Sequence, residues 1–224
     1  MKYIKNNLEY LNNRIAELGR GRKITLVAVT KSGTDEELLE LARVGAVDIG
    51  ENRPQELVRR GRLLAEAGYT VRLHEIGNLQ KNKVKQIIED VHLIHSLDSV
   101  ELALEIEKRA AAIGRTVPVL IEVNSAREAQ KGGILPEEAE AFFLKLRGLE
   151  HIRIRGLMTM GPVVEDSEQL RPYFRETKQL FDYIGEKYGY DGEPTLSMGM
   201  SDSFEVAIEE GANLVRIGRR LFTR

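Results

Sequence analysis

The chain repeats one beat, a short apolar run, a polar or glycine-bearing loop, then a segment with apolar residues at helical spacing, and an eighth apolar run closes the series within 224 residues. Such a beat dictates parallel strands, because each helical crossover returns the chain to lay the next strand alongside the last in the same direction. The apolar runs are Ile24 to Ser32, Ala46 to Gly50, Val71 to Ile76, Val91 to His95, Val117 to Val123, Ile152 to Met158, Thr195 to Met198 and Asn213 to Gly218. Between them, Thr34-Asp35-Glu36-Glu37 has capping-box form ahead of Leu38, Leu41 and Ala42, with Gly45 as the stop. Asp98 and Glu101 read as the start of a helix carrying Leu102, Ile106, Ala110 and Ile113, and Pro136 opens another before Phe142, Phe143 and Leu146. Eight units predict an α/β fold closed into a (β/α)₈ TIM barrel. The alternative, a doubly wound open sheet, lacks the G-x-G-x-x-G expected after its first strand.

Ahead of the first strand, Ile4, Leu8, Leu11, Ile15 and Leu18 fall at helical spacing within a charged segment. That is an amphipathic helix, neither signal peptide nor membrane span, and it is expected to fill the slot after the eighth strand, where no helix is predicted. One domain, 1–224, accounts for the whole chain, with no linker or low-complexity tract. Lys plus Arg (33) nearly balances Asp plus Glu (35), which gives no reason to expect nucleic acid or membrane as a partner. The absence of cysteine removes disulfides, thiolate nucleophiles and Cys-based metal sites, and the cytoplasm is the expected location.

In a barrel the residues just after each strand meet at one face, where chemistry resides. Here they are Lys31; Glu51 and Asn52; Gly77, Asn78 and Gln80; His95 and Ser96; Asn124 and Ser125; Thr159; Ser201; Arg216, Gly218 and Arg219. Lys31 ends an otherwise apolar strand, so it is either a solvated strand-end charge or a Schiff-base lysine facing the mouth. After the seventh strand comes SMGMSD and after the eighth RIGRR, the loops that barrels use for phosphate. Ser201 reads either as a phosphate ligand or as a helix N-cap, with Asp202 and Glu205 as a competing capping pair. Arg216 lies inside an apolar strand and needs a partner, either a ligand or a buried carboxylate such as Glu122.

A lysine on one side of the mouth, a phosphate cradle on the other and an arginine between them suggest pyridoxal 5′-phosphate. A guanidinium keeps its protons, so a ring nitrogen facing Arg216 accepts a hydrogen bond without gaining a full proton, and the ring becomes a weaker electron sink.

The segments AVTK, IGEN, H-x-IG-x-LQ-x-NK (His74 to Lys83), HSLD, VLIEVN, RGLMTMGP, LSMGMSDSFEVAI and VRIG resemble the pyridoxal phosphate homeostasis proteins, single-barrel relatives of the alanine racemase N-terminal domain. Carried over by position, the resemblance implies that Lys31 forms the internal aldimine, Arg216 faces the pyridine nitrogen, Ser201, Gly218 and the Arg219 backbone bind phosphate, and Asn52 lies near the ring. It also implies a protein that carries or buffers the cofactor for apo forms of PLP-dependent enzymes. The chain departs from the family in having Arg219 where Thr or Ser follows RIG, and Leu73, Glu75 and Asn78 around His74, to which no role is assigned. The alternative function is an amino-acid racemase with weak one-base activity. A two-base racemase needs a second acid–base group, and none of the seven tyrosines lies at a predicted strand end. A phosphate-sugar aldolase using Lys31 would share the cradle but leave Arg216 unexplained.

Overall fold

The computed structural model describes residues 1–224. An amphipathic helix, α1 (Lys2–Gly19), precedes eight parallel strands that close into a barrel in sequence order. They are β1 (Thr25–Val29), β2 (Asp48–Glu51), β3 (Arg72–Glu75), β4 (Val91–Leu97), β5 (Val117–Glu122), β6 (Ile152–Met158), β7 (Thr195–Ser197) and β8 (Leu214–Ile217). Crossovers carry α2 (Asp35–Arg43), α3 (Pro54–Glu66), α4 (Val84–Ile87), α5 (Val100–Ala112), α6 (Ala139–Leu146), α7 (Arg171–Tyr188) and α8 (Phe204–Glu209). The predicted barrel is the fold observed. No helix is long and apolar enough to cross a membrane.

The apolar faces of the helices pack on the outside of the sheet, with Leu38, Leu41, Leu57, Leu64, Phe174 and Phe204 fully buried. α1 buries Ile4, Leu8, Leu11 and Ile15 against α2, α8 and the chain's last turn, as its spacing predicts. That last turn is itself helical, α9 (Arg219–Phe222), although no helix was expected there. Asn7 of α1 holds it by donating from Nδ2 to the carbonyls of Leu221 (3.1 Å) and Thr223 (2.8 Å). The Thr34 capping box forms in full: Thr34 Oγ1 accepts the Glu37 N–H at 3.2 Å, and Glu37 accepts the Thr34 N–H at 2.7 Å. Ser99, not Asp98, caps α5, its Oγ accepting the Leu102 N–H at 3.3 Å, and Ile113 sits exposed past the helix end.

The barrel interior is the unusual part. Inward rows of this fold are ordinarily branched and apolar. Here the enclosed apolar cluster comprises only Val27, Leu93, Leu120, Met158 and Leu214. Alternation along the strands puts His74, Ser197 and Arg216 inward as well, and His95 of β4 reaches Ser197 of β7 across the lumen. A register shift between β3 and β4 sets His74 beside Leu93.

Candidate functional site

Lys31 follows the inward row Thr25, Val27, Val29, so the period-two rule aims it into the C-terminal mouth, where it is exposed. Its loop is clamped from behind. Arg60 of α3, buried, donates from Nη1 to the Thr30 carbonyl and from Nη2 to the Gly33 carbonyl (2.7 Å), gripping the backbone on both sides of Lys31. The same Nη1 donates to Glu51 at 2.8 Å, and the Thr30 hydroxyl donates to that carboxylate at 2.5 Å. Glu51 therefore belongs to β2 and faces α3 behind the sheet, and it does not line the mouth as its place at a strand end suggested. Beside it Glu75, fully enclosed, has one oxygen on the Gly77 N–H (3.0 Å) and the other without a partner. Burial, with the Glu51 charge adding to it, pushes the Glu75 carboxyl up to about 8.

Asn52 continues the inward row Asp48, Gly50 and is partly exposed at the rim. Its carbonyl explains the glycine of the third loop: a Cβ on Gly77 would lie 2.3 Å from the Asn52 oxygen. Asn78 and Gln80 stand exposed beyond it.

The loop after β7 is a turn, not a helix start. α8 begins at Phe204 with Ser203 at the N-cap position, so Ser201 is no N-cap. Asp202 and Glu205 form no capping pair either: Asp202 is bound by Arg219, and Glu205 by Arg14 at 2.8 Å. Ser201, buried, instead accepts the Gly218 N–H on its Oγ at 3.2 Å, joining the β7 and β8 loops. None of the chain's own acceptors takes the N–H of Ser201 or Asp202. Gly199 (φ 87°) is required by packing, since a Cβ there would meet the Ala207 Cβ at 2.6 Å. Arg219 adds no free charge beside this turn, because Asp202 pairs with it.

Arg216 is 4% exposed and makes no carboxylate contact. Nη1 donates to the Ser197 carbonyl (3.0 Å) and hydroxyl (2.5 Å), and Nη2 to the Thr159 carbonyl (3.1 Å). The alternative of a direct Glu122 ion pair is thus not what forms, although the Glu122 charge opposes the burial that lowers Arg216 to about 10. Burial and the nearby Asp98 raise Glu122 itself to about 7.

Closure corrects one expectation of layout. β8 pairs with β1, setting Val27 beside Arg216 and Ala28 beside Ile217. Lysine, arginine and the Ser201–Gly218 turn therefore share one arc, β7–β8–β1, and do not face each other across the mouth. Other residues expected at the mouth serve the scaffold. Asn124 donates from Nδ2 to the carbonyls of Glu128 (2.9 Å) and Lys131 (3.3 Å), and Ser125 and Thr159 bond each other at 2.8 Å. His95 and Ser96 lie within β4, which runs on to Leu97. Residues with no role assigned from sequence prove central. Arg60 sets the Lys31 loop, and His74 and Ser197 join His95 in the lumen; for the latter two, an alternation of polar residues on strands expected to be buried was the only signal.

Residues 1–223 match the family model described as alanine racemase, N-terminal domain. A pyridoxal phosphate homeostasis protein of Aquifex aeolicus is 42% identical over 216 residues, covering 96% of this chain and 93% of its own. The solved structure of PipY from Synechococcus elongatus with PLP bound superposes with a TM-score of 0.87 at 27% identity, covering 98% of this chain and all of that one (100%). An alanine racemase of Clostridium difficile shares the fold at a TM-score of 0.73 and 20% identity, over 98% of this chain and 56% of that enzyme. A buried arginine and an inward lysine on adjoining strands, in a chain this similar, agree with one conclusion: the protein belongs to the alanine racemase N-terminal-domain family and, within it, to the pyridoxal phosphate homeostasis proteins.

Proposed function

We propose that this protein binds pyridoxal 5′-phosphate through Lys31 and carries or buffers it. One observation carries the reading: the arc β7–β8–β1 brings together an exposed inward lysine, a buried guanidinium satisfied by neutral oxygens, and a turn with unclaimed N–H groups. The donor set fits the cofactor. When bound, it supplies an aldehyde that condenses with a primary amine and an aromatic ring that withdraws electrons. Lys31 is the amine. Arg216, held by Ser197 and Thr159, is the donor for the ring nitrogen and keeps its own protons, which disfavours carbanion chemistry. Ser201, Gly218 and the Arg219 backbone at the start of α9 are the phosphate ligands, and Asn52 stands beside the ring. With Arg219 engaged by Asp202, backbone donors and Ser201 replace the hydroxyl usual after RIG.

The tyrosines favour carrying over racemisation. Tyr3 binds Glu37, Tyr183 and Tyr188 bind Glu140, and Tyr190 donates to the Phe181 carbonyl, all on the outer helices or beside them. None supplies a second base opposite Lys31. One domain spanning 1–224 performs this task, as a cytoplasmic monomer that hands cofactor to apo forms of PLP-dependent enzymes. Purified protein mixed with PLP should turn yellow, and borohydride should fix the cofactor on the peptide containing Lys31; colourless protein without adduct refutes the reading. Rapid loss of chirality from D- or L-alanine would replace the carrier with the racemase. Transfer of cofactor to an apo-enzyme, followed by recovery of that enzyme's activity, tests delivery.

A further inference from the structure

A continuous chain of hydrogen bonds runs through the lumen from Arg216 to the opposite end of the barrel. Ser197 Oγ lies 2.5 Å from Arg216 Nη1 and 3.0 Å from His95 Nδ1; His95 Nε2 lies 3.0 Å from His74 Nδ1; His74 Nε2 lies 2.9 Å from Asp48 Oδ1. His74, His95, Ser197 and Arg216 are all buried. Asp48 opens onto a polar pocket of about 200 Å³ at the N-terminal end, lined also by Arg72, His92 and Arg155.

The direction of every bond follows from the Asp48 end, given neutral histidines. A guanidinium can only donate, so Ser197 Oγ accepts from Arg216, which leaves the hydroxyl able either to donate to His95 or to accept a second bond from it. At the far end Asp48, bound also by Arg72 at 2.5 Å, is an ionised acceptor, so His74 carries its proton on Nε2. Burial alone would raise the Asp48 carboxyl, yet the bonds from His74 and Arg72 hold it at about 2, and burial keeps both lumen histidines below their ordinary range. Neutral His74 then offers Nδ1 as an acceptor, which requires His95 to be protonated on Nε2 and to accept on Nδ1. Ser197 then donates to His95, and the orientation fixed from the Asp48 end is Arg216 to Ser197 to His95 to His74 to Asp48, which the donor-only guanidinium accommodates.

We propose that His95 and His74 are positioning residues for Arg216, a one-way relay that fixes its guanidinium in the lumen and ties that buried charge to the remote carboxylate of Asp48. Glu122 favours the Arg216 charge from nearby without touching it, and the relay adds a hydrogen-bonded link to a second carboxylate at the far end of the lumen, away from the mouth. Asp48, His74 and His95 touch neither the mouth nor any ligand there and act only through Ser197. The consequence at the mouth rests on the cofactor reading, whereas the relay itself does not.

Histidine ¹⁵N NMR of the unmutated, cofactor-free protein tests the relay directly. His74 and His95 should both be neutral at pH 7 with the proton on Nε2; a proton on Nδ1 of either overturns the proposal. PLP titrations of the wild type, Ser197→Ala and Ser197→Thr test its effect. Losing a bond to a charged donor should weaken binding about tenfold in Ser197→Ala and change the visible absorbance of bound cofactor, while Ser197→Thr stays near wild type. Wild-type binding with an indistinguishable Ser197→Ala variant overturns the positioning role. A wild type that binds no PLP overturns the cofactor reading instead, and the tautomers alone then decide the relay.

Discussion

Glu75→Gln should make the protein markedly more stable in mild alkali and remove much of its pH dependence. Glu75 is fully enclosed, with one oxygen on the Gly77 N–H and the other without a partner. Its folded-state value is about 8 against an ordinary 4.5, raised first by burial and then by Glu51. Between those limits the folded state binds more protons than the unfolded chain, so stability is full below pH 4.5 and falls as pH rises through about 8. At roughly 1.4 kcal/mol per pH unit the interval amounts to about 5 kcal/mol, of which about 3 is already lost at pH 7. Glutamine keeps the acceptor for Gly77 and cannot ionise. Urea unfolding from pH 5 to pH 8.5 should show the two proteins within about 1 kcal/mol of each other at pH 5 and the variant ahead by about 4 kcal/mol at pH 8. Parallel profiles, or a variant less stable at pH 8, would refute the claim that this carboxyl is buried protonated.

Arg60→Met strands Glu51 without its cation and frees the Thr30 and Gly33 carbonyls, so it should cost about 3 kcal/mol or more in urea unfolding and speed amide exchange around Lys31. Gly77→Ala drives a Cβ to within 2.3 Å of the Asn52 carbonyl; thermal melts should show a loss of about 2 kcal/mol or more, and an unchanged melting temperature would mean the two loops are free to part. Thr34→Ala removes the hydroxyl half of the capping box that starts α2 and should cost about 1 kcal/mol by the same melts, with Thr34→Ser recovering most of it.

Much of the architecture was legible because its signals are local. A strand needs only a few apolar residues in a row, and a capping box such as Thr34 to Glu37 is written in four consecutive positions. What escaped depends on which strand ends up beside which. His74 lay within the third strand with no role assigned, and its role exists only because the register shift between β3 and β4 turns both His74 and Leu93 inward and closure sets His95 against Ser197. Glu51 read as a polar rim residue; the one-residue parity of a strand decided instead that it faces α3, with Glu75 of the next strand beside it. At Ser201 the local signal itself misled, since a serine before an apolar run is equally good at capping a helix and at making the tight turn that precedes one. The lysine, the arginine and the turn were each visible in sequence, but their grouping on one arc follows only from the pairing of the first strand with the last.

That pairing makes the seam of the barrel the place where its ligand would sit. Lys31 comes from the first strand's end, while Ser201, Arg216 and Gly218 come from the closing units, so the site has no partial form on an incomplete chain. During synthesis the lysine emerges long before its companions, so on the proposed reading capture of cofactor would wait for the last strand to dock. A ligand spanning the seam also acts as a latch: opening the barrel between β1 and β8 would require its release, so binding should slow exchange of the most protected amides throughout the sheet and not merely those near the mouth.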